Sequence, residues 1–223
     1  MMALLTLIIE ASTPQASVAL VTDTAIVADR AVTSHDPITG TRLEGLMPAI
    51  AACFHDVQAN PTHLSSIICS SGPGSFTSLR SAAAIAKGFC SVLHIPLYAV
   101  SSLELVTATA QLSPGQYMPA LDAGRGEYYT QVMEVSDSGI VPITPITVLP
   151  RTALATHAQK HHSRLVGPNL EIDVSPRASA AFPLLARIIA SDPVPLESWE
   201  PWYGRLAEAQ VKWEAVHGRP LSV

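Results

Sequence analysis

Charge is scarce in this chain: 14% of its 223 residues are Asp, Glu, Lys or Arg, where about a quarter is usual in soluble domains. Its 13 basic residues are scattered without a run, and 18 acidic ones leave a net charge of −5 and a pI near 5.9. That argues against a protein that grips a nucleic-acid backbone unaided, because neutralising phosphates needs a concentrated basic surface. Cysteine is scarce as well. Cys53, Cys69 and Cys90 are odd in number, widely spaced and set among apolar residues, so they read as buried free thiols in a reducing, cytoplasmic setting rather than as a disulfide or metal framework. No stretch approaches the roughly 18 to 20 apolar residues of a membrane span. Leu4 to Ile9 is short, lacks a basic flank and runs into Glu10, so neither a signal peptide nor a membrane anchor is expected. With a mean hydropathy of +0.30, the missing charge predicts a large core or an apolar surface that a partner covers.

What is there centres on residues 65–93. Ile67 to Cys69 is a short apolar run ending in two serines, Gly72-Pro73-Gly74 a turn, and Ser75 to Leu93 an alanine-rich segment free of proline, which together read as strand, tight loop and helix. The glycines permit positive φ and close backbone approach, and Ser75 or Thr77 can accept from the first free amides of the helix. A Walker A loop needs G-x-x-x-x-G-K-[ST], and here no lysine lies inside the turn. A capped helix with no ligand remains the plain alternative.

Gly72-Pro73-Gly74-Ser75-Phe76-Thr77-Ser78-Leu79-Arg80 resembles the GPGSFTGLR signature of the bacterial TsaB (YeaZ) family, with Ser78 in place of a glycine. Two further stretches carry the likeness. Ile9-Glu10-Ala11-Ser12 stands where the family reads I-D-T-S, and Asp122, Arg125, Gly126, Glu127 and Tyr129 fit its I-D-A-R-x-G-E-V-Y. The resemblance implies an α/β fold of two actin-like (ASKHA, ribonuclease H-like) lobes, each a mixed sheet flanked by helices. It also implies that Glu10, Ser12, Asp122, Arg125 and Glu127 occupy degenerate nucleotide and metal positions. Glutamate is a methylene longer than aspartate and Ala11 lacks a hydroxyl, so a turn with a solvated carboxylate is the expected state of Glu10. Asp122 reads either as a second metal carboxylate or as half of an Asp–Arg pair in a charged hairpin.

The rest of the chain fits that frame. Leu4 to Ile9, Gln15 to Val21 and Thr24 to Ala28 predict a three-stranded meander. Thr41 with Glu44 reads as a capping box opening a helix with Leu43, Leu46, Met47, Ile50, Phe54 and Val57 at helical spacing. Ser101 or Ser102 caps another helix through Gln111. The pattern restarts after Ser113-Pro114-Gly115, predicting lobes over 1–112 and 113–202, and a final helix over about 203–217, which in the family packs back on the first lobe. A helix from Ala178 to Ala190 is interrupted at Pro183. His157, His161 and His162 lie close together, but neither H-E-x-x-H nor H-x-x-E-H is present, so they read as exposed histidines at a helix end, and no metal site is expected.

No nucleophile and base, metal cluster or P-loop is assembled by these residues. The function the resemblance implies is therefore a non-catalytic scaffold in threonylcarbamoyladenosine modification of tRNA, at the adenosine beside the anticodon. It would be an accessory subunit, not an enzyme on its own, binding the catalytic subunit TsaD, with the TsaE ATPase joining the cycle and a homodimer forming when it is alone. ATP and Mg²⁺ would be used by the complex, none being its own cofactor, and tRNA would be met mainly through the complex. Leu43, Met47, Ile50, Leu79, Ala82, Ala86 and Phe89 are the expected partner-binding residues, and changing Ala82 or Ala86 to a large charged residue is expected to break the complex and spare the fold. The alternative is a self-sufficient actin-like ATPase or small-molecule kinase.

Overall fold

The computed structural model describes residues 4–32 and 43–204, and of Leu43 and Glu44 the backbone alone. The capping residue Thr41 and the final helix expected over about 203–217, beyond Gly204, lie outside the described residues.

Leu5–Glu10 (β1) and Ala16–Val21 (β2) are buried at every position, which is why both read as continuous runs rather than as alternations. Ile26–Val32 (β3) forms an edge and is exposed along most of its length. Leu64–Ser70 (β4) and Leu97–Val100 (β5) complete a five-stranded sheet in the order β3-β2-β1-β4-β5. The first three strands form an antiparallel meander, and β4 and β5 add in parallel on the other side of β1. Leu43–Asp56 (α1) and Phe76–Leu93 (α2) cover one face. There Leu7, Ile9, Val18 and Leu20 meet Leu46, Ile50, Cys53, Ala82, Ala86 and Cys90.

A second, six-stranded sheet begins at Gly115–Gly124 (β6), whose first half pairs with Met133–Ser136 (β8) and whose second half pairs with Glu127–Thr130 (β7). Gly139–Pro142 (β9) and Thr147–Pro150 (β10) are its edges, and Arg164–Val166 (β11) pairs with β6 in parallel. Each of these two edge strands ends in a proline, Pro142 and Pro150, which an interior ladder would not tolerate. Arg151–Lys160 (α4) covers the outer face through Leu154 and Ala158.

Between the sheets lies Ser102–Thr109 (α3), which belongs to two cores at once. Leu105 packs with Ile8, Ala19 and Ile68 of the first sheet, while Leu103 and Val106 pack with Tyr117, Leu121 and Met133 of the second. Residues downstream of the second sheet then return to the first. Ala178, Ala181, Leu184, Leu185 and Ile188 seal the face of Ile8 and Ile68. They form a 3-10 turn, Ala178–Leu184, followed by the short helix Leu185–Ile189 (α5), because Pro183 has no amide to continue a regular ladder. The result is two mixed sheets flanked by helices, an actin-like pair of lobes.

The helix starts differ from expectation. Ser75 and Ser101 take the capping positions of α2 and α3, but neither hydroxyl bonds a helix amide. The Ser75 hydroxyl is engaged with that of Ser78 at 3.1 Å, so Ser78 redirects the group that would have capped the helix. No helix among the described residues is long and apolar enough to cross a membrane.

Candidate functional site

The loop after β4 is a junction. Gly72 has φ +86°, and a Cβ there would meet the carbonyl oxygen of Trp202 at 2.2 Å; a Cβ on Gly74 would meet that of Ser12 at 2.3 Å. Glycine is required at both places by contact with other segments. Those contacts are hydrogen bonded. The Ser75 amide donates to Ser12 at 2.8 Å, the Ser102 amide to Gly72 at 2.9 Å, and the Trp202 amide to Ser71 at 2.7 Å. Phe76 packs on Tyr203 with ring centroids 4.5 Å apart, and Arg80 lies over the Phe76 ring at 5.8 Å. From the second sheet, Tyr129 meets Trp202 edge-on at 5.7 Å and donates its hydroxyl to the Tyr203 carbonyl at 3.0 Å. Pro73 follows a cis peptide bond. Gly72 to Phe76 therefore tie the first meander turn, α3, the 201–204 strap and, through that strap, the second sheet; Thr77 and Arg80 face solvent.

Glu10 is not a solvated carboxylate. It is 0% exposed, its Oε1 accepts the Ser12 amide at 2.6 Å and the Ser12 hydroxyl as well, and its Oε2 has no partner among the described residues. Burial raises its pKa from 4.5 to about 7, against the opposing bonds from Ser12 and Ser70. The reason for the correction is register: Glu10 ends a central strand, beside Ser70 of β4, rather than opening the turn. A sealed carboxyl whose neutral form is favoured to near neutrality does not fit a hydrated magnesium–nucleotide site.

Asp122 stands exposed at the β6–β7 hairpin and accepts the Gly124 amide at 2.7 Å. Among the described residues no ion pair joins it to Arg125, which sits exposed at φ +58°. Of the two readings of Asp122, the Asp–Arg pair is not formed: the turn itself takes the carboxylate. Glu127 lies opposite Gly124 in the β6–β7 ladder. No group of three or more metal-ligating side chains occurs among the described residues.

The helix pair carries an open apolar cleft of about 430 Å³ between α1 and α2, lined by Met47, Pro61, Ala84, Ile85, Gly88 and Phe89 with Val92 at its rim. Met47 is 47% and Val92 77% exposed. A second hollow of about 370 Å³, also lined by Met47 and Phe89, extends it toward Phe54 and His55. A Cβ on Gly88 would have nothing within 4 Å. Of the expected contact residues, Met47 and Phe89 line this cleft, whereas Leu79, Ala82 and Ala86 are fully buried and Ile50 nearly so. Ile50, Ala82 and Ala86 belong to the core against the first sheet, and Leu79 lies beside Gly72. The outward stripe of α2 is Ala84, Gly88 and Val92, two positions along, and the alanine-rich sequence carries no contrast that would separate the two faces. The side chain of Leu43 lies outside the described residues.

Burial pushes the thiols of Cys53 and Cys90 up to about 11 and raises that of Cys69 as well. They are packing groups, not nucleophiles.

Comparison with known proteins adds the following. Residues 41–171 match the family model described as TsaD: tRNA N6-adenosine threonylcarbamoyltransferase. The chain is 35% identical over 99 residues to the Bacillus subtilis tRNA threonylcarbamoyladenosine biosynthesis protein TsaB, covering 44% of this chain and 43% of that relative. It is 28% identical over 153 residues to an uncharacterized protein of Mycobacterium leprae, covering 68% of this chain and 40% of the other. These matches span less than half the length of either relative. The solved structure of YeaZ from Pseudomonas aeruginosa superposes with a TM-score of 0.73 at 22% identity, over 91% of this chain and 100% of that one. A second Pseudomonas aeruginosa structure, described as similar to peptidase YEAZ, gives 0.75 over 92% and 100%. At that identity these two establish the shared fold.

Proposed function

Since the chain belongs to the TsaD family of tRNA N6-adenosine threonylcarbamoyltransferases and stands with its TsaB (YeaZ) members, we propose that it is a scaffold subunit in threonylcarbamoyladenosine modification of tRNA. It contributes a surface rather than a reaction. The TsaD catalytic subunit docks in the α1–α2 cleft, TsaE joins with ATP, and tRNA is held by the assembled complex. In the absence of TsaD the same face pairs two copies.

The observation that carries this reading is the cleft around Gly88. A glycine in the middle of an exposed helix costs about 0.5–1 kcal/mol relative to alanine. Here it lowers the floor of an apolar groove whose walls, Met47 and Val92, stand in water. Exposed apolar surface on a chain this poor in charge is what a stable partner covers. The sealed Glu10 supports the non-catalytic part, since it leaves the first meander turn without an available carboxylate.

Gel filtration with the TsaD protein of the same genome tests it. The parent chain is expected to co-elute with TsaD, and Val92→Glu or Gly88→Glu to elute separately with an unchanged circular dichroism spectrum. Co-elution of the folded Val92→Glu and Gly88→Glu variants would overturn the docking face. Failure of the parent to bind would overturn the scaffold itself.

A further inference from the structure

Over the second sheet, the last turn of α4 and its C-cap read His157-Ala158-Gln159-Lys160-His161. Histidines four apart lie on one helix face, and this is the spacing by which H-E-x-x-H delivers two imidazoles to one zinc ion. The structure realises the pairing. The rings of His157 and His161 are adjacent, with centroids 4.8 Å apart and planes at 42°. Neither imidazole makes a hydrogen bond among the described residues, and both are half-buried, whereas His162 turns away at φ +49° and is exposed.

One condition favours a cation there. The rings close the C-terminal end of a ten-residue helix, where backbone carbonyls carry partial negative charge. Ala158 occupies the place of the catalytic glutamate of H-E-x-x-H and is buried against the second sheet, so the pair offers binding without a general base.

We propose that His157 and His161 form a two-imidazole chelate for a borderline divalent cation, Cu²⁺ or Zn²⁺, with water completing the coordination. Imidazole nitrogen without carboxylate selects these ions over Mg²⁺ and Ca²⁺, and the incomplete ligand set leaves positions that exchange.

Calorimetric titration of the full chain, free of any affinity tag, with CuCl₂ and separately with ZnCl₂ tests this. One equivalent is expected to bind, with two-nitrogen coupling in the Cu²⁺ electron paramagnetic resonance spectrum. His157→Ala and His161→Ala are each expected to weaken binding at least about tenfold, the loss that even outer partners of metal ligands produce. His162→Ala is expected to leave it unchanged. Circular dichroism establishes that each variant is folded. Absence of binding by the parent, equal binding by the His157→Ala/His161→Ala double variant, or a loss confined to His162→Ala would overturn the site.

Discussion

Glu10 follows Ile8 and Ile9 into the interior and brings a carboxyl where packing would have an apolar group. Its folded-state pKa of about 7 lies above the ordinary 4.5, so the neutral acid is the form that the fold accepts. The sign follows from that: the contribution is fully present below about pH 4.5 and is lost as pH rises towards 7. It amounts to about 3 kcal/mol for a fully buried group with this displacement. Glu10→Gln removes the titration. The stability difference between variant and parent, from urea unfolding, is expected to move by about 3 kcal/mol in favour of the variant between pH 4.5 and pH 8. A difference that stays flat across that range would contradict the buried neutral acid. None of this was legible in Ile9-Glu10-Ala11-Ser12, because what seals the carboxyl includes Ser70, a strand partner far along the chain.

At the scale of elements, α2 shows why a helix can be located from sequence while its faces cannot. Gly72-Pro73-Gly74 marks its start unmistakably, since turn chemistry is local. Which alanines face the sheet is decided by β1 and β4, and Ala82, Ala84 and Ala86 are identical side chains with opposite fates. The same substitution at two of them separates the environments. Ala86→Leu adds three carbons to a closed core and is expected to lower stability by about 1–3 kcal/mol, whereas Ala84→Leu at the open cleft is expected to stay within about 0.5 kcal/mol. Thermal unfolding of the two proteins side by side measures this, and equal losses would contradict the assigned faces. The lost caps of α2 and α3 were not legible: the Ser75 hydroxyl turns to Ser78 within the same helical turn, and the Ser101 hydroxyl has no partner among the described residues.

For the whole molecule, α3 makes the two sheets interdependent. Leu105 fills one core while Leu103 and Val106 fill the next, and the ties from Gly72 through Trp202 to Tyr129 run between the same two sheets. Leu105→Ala is expected to cost about 2–5 kcal/mol and to lower hydrogen-exchange protection in β1 and β6 together. Loss confined to β1 would mean that the lobes unfold separately. The crossing of the chain back to its first sheet has a further consequence for biosynthesis. Ile8, Ala19 and Ile68 leave the ribosome early, yet Ala181, Leu185 and Ile188, which cover them, are translated more than a hundred residues later than Ile68. Until they emerge, that β-surface is covered only in part, by Leu105 and its neighbours, so a holding chaperone has its window on the nascent polypeptide in this interval.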